Sequence, residues 1–114
     1  MDISAIEVEE LKSVAFVEDF LELRFGTPVL TLYDWPYVLL TDFSVGYGEP
    51  EYRNALCAQI GETVAKAMLE EDDALTIELS NGVVFGLSLR EEDMDGPESG
   101  SYSATGDEAE AAEF

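Results

Sequence analysis

The feature that most constrains this chain is a period of two in its apolar residues. In Leu21-Glu22-Leu23-Arg24-Phe25, in Leu75-Thr76-Ile77-Glu78-Leu79 and again in Phe85-Gly86-Leu87-Ser88-Leu89, every second residue is large and apolar. A helix would scatter such residues around its circumference, whereas a strand sets them on one side of a pleated sheet. Further strands are expected at Val14–Val17, Leu30–Tyr33, Tyr37–Thr41 and Val64–Leu69. The pair Trp35-Pro36 separates two of these, because Pro cannot donate to a central ladder.

One turn can be assigned from burial alone. Asn81-Gly82 suggests a two-residue turn pairing Ser80 with Val83, but that register puts Leu75, Ile77 and Leu79 on the face opposite to Phe85, Leu87 and Leu89. Pairing Leu79 with Val83 unites both sets, with Ser80-Asn81-Gly82 as a three-residue loop and Gly82 left-handed.

One helix is expected. Glu49-Pro50-Glu51 starts it, Tyr52, Ala55, Leu56, Gln59 and Ile60 follow at helical spacing, and Gly61 stops it. A second short helix is a weaker reading of Ile3–Leu11, where Ile6 and Val8 also alternate. Leu21–Phe25 resembles Leu75–Leu79 in pattern, and Val29–Leu32 resembles Val83–Gly86, both at an offset of 54. Upstream, Val14-Ala15 matches Val64-Ala65 if the Glu70–Asp73 turn holds four extra residues. The fold expected is α+β: mostly antiparallel strands in two similar meander units with one intervening helix. Residues 1–95 would form the domain. Residues 96–114, rich in Gly, Ser, Ala and acids, would form an acidic flexible tail, since they offer little to bury against their ordering entropy.

Charge narrows the function. The chain has 26 acidic residues, five basic ones and no His, for a net charge of -21. Five scattered cations cannot supply a nucleic-acid or anionic-membrane footprint. A spanning helix and a leading signal segment are not expected, and one Cys excludes an internal disulfide, which points to the cytoplasm. The acidity fits either solvation in a salt-adapted organism or a basic protein partner.

The usual chemistry finds little support. Without His, triads, imidazole bases and most zinc sites are out of reach. Cys57 reads as a small buried helix residue. Glu91-Glu92-Asp93-Met94-Asp95-Gly96 imitates a calcium loop at positions 1, 3, 5 and 6, but position 12 is Tyr102 and the entering element is a strand. Gly46-Tyr47-Gly48 lacks the third Gly of a dinucleotide loop. No catalytic residue, cofactor or metal is therefore expected. The residues that stand out are Tyr33, Trp35, Tyr37, Tyr47 and Tyr52, set beside Asp34, Asp42 and Glu49. Aromatics among acids can anchor a cationic partner, and Tyr33, Asp34, Trp35, Tyr37, Tyr47 and Glu49 are the candidate partner-binding set. Core packing with satisfied hydroxyls is the competing reading.

Ile60-Gly61, Leu75–Gly82, Ser88-Leu89-Arg90-Glu91-Glu92-Asp93 and Gly96-Pro97-Glu98 resemble a pattern found in small uncharacterised bacterial proteins, over about residues 50–98. In general style the chain is similar to the small acidic immunity proteins of bacterial toxin systems. That resemblance implies neutralisation by binding and carries over no site residue. The expected function is non-catalytic binding of a basic protein, with homodimerisation through strands or the helix face. The rivals are a small-ligand binder or carboxylate enzyme with a pocket near Trp35 and Tyr47, and a housekeeping protein whose acidity serves solvation only.

Overall fold

The computed structural model describes residues 1–114. In chain order the strands are β1 (Ser13–Val17), β2 (Phe20–Arg24), β3 (Val29–Leu32), β4 (Tyr37–Leu39), β5 (Ser44–Val45), β6 (Val64–Glu70), β7 (Ala74–Leu79), β8 (Val84–Ser88), β9 (Gly100–Ser103) and β10 (Ala112–Glu113). The one α-helix, α1 (Tyr52–Cys57), lies between β5 and β6. Two five-stranded sheets result, in the orders β1-β2-β3-β9-β10 and β5-β4-β8-β7-β6. Every pairing is antiparallel. The fold is α+β, as the apolar alternation requires.

The alternating residues do what their period demands. Leu21 and Leu23 of β2, Ile77 and Leu79 of β7, and Phe85 of β8 are buried, while Arg24, Thr76 and Glu78 between them are exposed. The buried faces of both sheets meet in one apolar cluster of 22 residues, to which α1 adds Tyr52 and Leu56. Full burial of one such aliphatic side chain is worth about 1.5–3 kcal/mol, so the shared cluster is the main term holding the sheets together. No helix is long and apolar enough to cross a membrane.

The second hairpin has the register chosen from burial. Leu79 N–H donates to Val83 O at 2.8 Å, and Ile77 pairs with Phe85 and Leu75 with Leu87. Gly82 is left-handed at φ 90°, a backbone state that only Gly adopts freely. Asn81 completes the loop by accepting from Val83 N–H at 3.0 Å.

Each meander seeds one sheet, but the copies do not keep one offset. Val14 pairs with Leu23 and Ala67 with Ile77, while Leu23 pairs with Leu30 and Ile77 with Phe85. Equivalent residues thus lie 53 apart in the first strands, 54 in the second and 55 in the third. The cause is one extra residue in each turn of the second copy: Glu71–Asp73 replaces Glu18-Asp19, and Ser80–Gly82 replaces Gly26-Thr27. The expected equivalences of Val14 with Val64 and of Leu30 with Val84 are corrected accordingly.

Other expectations also change. The helix stops at Cys57 rather than reaching Ile60, which is exposed. Its inward residues are Tyr52 and Leu56, so Cys57 points outward and is exposed rather than buried. Ile3–Leu11 forms only a 3-10 turn at Ser4–Ile6 and then runs beside β6. There Val8 N–H donates to Val64 O at 2.9 Å, and the Glu7 carboxylate accepts from Ala67 N–H at 3.0 Å. These contacts satisfy groups on an otherwise open sheet edge.

The largest correction concerns residues 96–114. They are not a tail: β9 lies between β3 and β10, with Leu30 opposite Tyr102 and Leu32 opposite Gly100. Ser99, Gly100, Tyr102 and Ser103 are buried. The expectation counted only apolar side chains, whereas β9 is ordered by a backbone ladder on both sides and by packing of Tyr102 and Phe114 on the common core.

Candidate functional site

The segment from Tyr33 to Tyr37 joins the two sheets and divides the candidate residues between two places. Trp35, Tyr37, Tyr47 and Glu49 gather on one side, while Tyr33 and Asp34 turn towards the C-terminal strands.

The first place is an aromatic platform. The rings of Trp35 and Tyr47 stack with centroids 4.3 Å apart and planes 10° from parallel. Phe16 of β1 stacks with Trp35 at 6.1 Å, and Tyr52 meets Tyr47 edge-on at 5.8 Å and 89°. Tyr52 is buried, and its hydroxyl donates to the Pro36 carbonyl, tying α1 to the inter-sheet segment. Burial, and then the neighbouring Tyr47, push the Tyr52 phenol well above its ordinary pKa, so it stays a donor. Glu49 accepts from Gly46 N–H at 3.1 Å, and the Tyr37 ring lies so close to Gly46 that a Cβ there would sit 3.0 Å from it. A side chain at position 46 would need the Tyr37 ring to shift. Tyr47 itself is 55% exposed, while Trp35 is half-buried beneath it.

Sequence reasoning missed Phe16 and Arg53 here. The Arg53 guanidinium carbon lies 4.7 Å from the Phe16 ring centroid. Neither residue carries a local signal, because the platform unites β1, the inter-sheet segment and α1. Beside Tyr47, Gly48, Glu49, Pro50, Tyr52 and Arg53 surround an open hollow of about 300 Å³.

The second place is a cleft walled by carboxylates. Tyr33 OH donates to Glu113 Oε2 at 3.2 Å. Asp34 is buried, and its Oδ2 has no hydrogen-bond partner. Burial raises its pKa, and the charge of Asp95 raises it further. One opening of about 400 Å³ is bounded by Asp34, Asp95, Glu98 and Glu113. A neighbouring one of about 520 Å³ shares Glu98 and Glu113, adds Glu71 and Glu91, and has Leu89, Met94, Pro97 and Phe114 among its lining. The sequence marked Asp34 but did not join it to Asp95, Glu98 and Glu113, which lie more than 60 positions further along the chain.

The calcium-like stretch folds differently from its template. Glu91–Asp93 is a 3-10 turn, the Asp93 carboxylate accepts from Ser88 Oγ at 2.7 Å, and Asp95 turns to Asp34. Its oxygens do not converge, and no group of three acid or Cys side chains has a metal-holding arrangement. The basic residues are largely engaged: Lys12 with Glu10, Arg24 with Glu22, Arg90 with Asp73, and Arg53 over Phe16. No family model, curated protein or solved structure matches the chain.

Proposed function

We propose that the protein is a non-catalytic binding protein whose acidic surface meets a basic protein partner, in the manner of the small immunity proteins that neutralise bacterial toxins. The observation that carries this reading is the exposed Tyr47 ring, stacked on half-buried Trp35, on a chain of net charge -21. Tyr and Trp rings supply rigid contact area, and their faces attract cations. Arg53 over Phe16 displays the same chemistry within the molecule. The net negative field would speed encounter with a basic partner and disfavour acidic ones, while the rings would hold the docked complex.

The test is capture from the native lysate at moderate salt, followed by binding kinetics on each basic protein retained. Tyr47→Ala is the variant of choice, because Tyr47 is largely exposed and its loss leaves the core intact. Association should slow steeply as salt rises. Dissociation should quicken about 30-fold if Tyr47 is an anchor worth about 2 kcal/mol. Capture of no basic protein, or dissociation indifferent to Tyr47→Ala, defeats the proposal.

A further inference from the structure

The cleft beside β9 and β10 has two properties that a merely solvated acidic surface lacks. The first is a buried carboxylate with one oxygen that meets no donor at hydrogen-bond geometry. Asp34 is 8% exposed with Oδ2 unpartnered, and Ser99 is 0% exposed with Oγ unpartnered. The Ser99 hydroxyl and the Asp95 backbone amide lie beside the carboxylate, yet Oδ2 meets neither at bonding geometry, which leaves room for a donor from outside. Asp34 stands in the wall of the smaller opening and Ser99 in that of the larger.

The second property is an apolar patch among the acids. Asp34, Asp95, Glu98 and Glu113 border the smaller opening, and the larger one, which Glu71, Asp72 and Glu91 also border, has Leu89, Met94 and Phe114 in its wall. None of the five basic side chains lines either opening. A ligand that satisfies both features needs several N–H donors and a positive charge at one end, and an apolar stem at the other. A bare metal ion does not fit, since the carboxylates border two openings instead of converging on a point.

We propose that this cleft binds a guanidinium carried on an alkyl stem, the head donating to Asp34 and its neighbouring carboxylates and the stem lying against Leu89, Met94 and Phe114. A guanidinium offers five donors in a planar fork and is weakly hydrated, which suits a partly buried carboxylate site better than the strongly hydrated ammonium of Lys. Charge-assisted bonds of this type are about twice as strong as neutral ones. An Arg side chain of a protein and a free small guanidine both supply this group. The inference does not rest on the aromatic platform, which lies apart from this cleft.

The test is an amide NMR titration of the full chain at constant ionic strength with three probes: butylguanidinium, butylammonium, and an Arg-containing tripeptide blocked at both ends. Saturable shifts confined to Asp34, Leu89, Met94–Ser99, Glu113 and Phe114, stronger for butylguanidinium than for butylammonium, are expected. Amides around Tyr47 should stay still, which separates this site from the platform. Asp34→Asn should weaken butylguanidinium binding about tenfold or more, the loss of one charge-assisted bond. Glu98→Gln, at the rim, should weaken it less and serves if Asp34→Asn perturbs the fold. Tripeptide binding as tight as that of butylguanidinium assigns the site to a protein side chain, and binding of butylguanidinium alone assigns it to a free guanidine. Linear shifts spread over all acidic positions, equal binding of magnesium, or indifference to both substitutions overturns the proposal.

Discussion

Gly100 and Phe114 exchange backbone hydrogen bonds, Phe114 N–H to Gly100 O at 3.0 Å and Gly100 N–H to Phe114 O at 3.3 Å. A Cβ at position 100 would lie 2.3 Å from the Thr31 carbonyl oxygen and 2.8 Å from the Phe114 ring. Position 100 is thus closed to any side chain. Gly100→Ala should destabilise the protein by about 1–3 kcal/mol or more, as overpacking between backbones does. A chain ending at Asp95 should lose far more, because it bares the β3 edge and the core behind Leu30. Denaturant melts of both variants check this, and wild-type stability in the truncated chain would show that β9 and β10 contribute nothing.

Asp34 should make the stability depend on pH in the sense opposite to a salt-bridged carboxylate. Its folded pKa is raised, first by burial and then by Asp95, with Glu98 and Glu113 nearby. In the window between its unfolded and folded pKa values the folded state binds more protons, so this group's contribution falls as pH rises through that window. Asp34→Asn should therefore stabilise the chain at pH 7, by about 1–2 kcal/mol if the amide finds one carboxylate partner. The gain should shrink as pH drops below the folded pKa. Thermal melts of both proteins across the acid range provide the measurement, and a gain that is constant with pH contradicts the argument.

Tyr52→Phe isolates a single buried hydrogen bond. The hydroxyl donates to the Pro36 carbonyl, and Tyr52 is 2% exposed. Removing it leaves that carbonyl without this donor, at a cost of about 1–3 kcal/mol. The ring stack should survive, because Phe fills the same volume. Equilibrium unfolding gives the cost, and near-ultraviolet dichroism of Trp35 reports on the stack. A neutral substitution would mean that water replaces the hydroxyl.

The outward face of the second sheet should carry self-association. Two of the three cross-strand rows there are Tyr37–Gly86–Thr76–Met68 and Leu39–Val84–Glu78–Lys66, and the third, Ser88–Ala74–Glu70, lies at one end of the face. Tyr37 is 59% exposed and Leu39 42%, and the only charges in the two rows are Glu78 and Lys66, which cancel. Two copies of so acidic a chain can approach here without opposing charge, and elsewhere they repel. Sedimentation should show dimers that strengthen with salt, since screening weakens that repulsion. Leu39→Glu should return the monomer without loss of fold. A wild-type monomer at high concentration and high salt refutes the idea.

Much of the candidate site was legible as composition but not as geometry. The cluster of aromatics between Tyr33 and Tyr52 is visible in the chain, yet the bend between β3 and β4 parts neighbours: Asp34 goes inward to Asp95, and Trp35 goes to Tyr47 and Phe16. Cys57 was misplaced because one residue of rotation on a short helix moves a side chain from core to solvent.

The sequence by itself determined the alternating strands, β1 to β4 and β6 to β8, and how two of them register. A period of two against a shared core leaves one pairing that buries Ile77 opposite Phe85, and Gly82 supplies the turn. Only the tertiary structure decided that Gly100–Ser103 is a central strand and that Asp34 faces Asp95 beside Glu113. Backbone ladders carry no side-chain code, so a strand of small residues is recognisable only when the edge it completes is in place. For the same reason the cleft exists in no single segment: its walls are carboxylates spread along the chain, brought together by β3, β9 and β10.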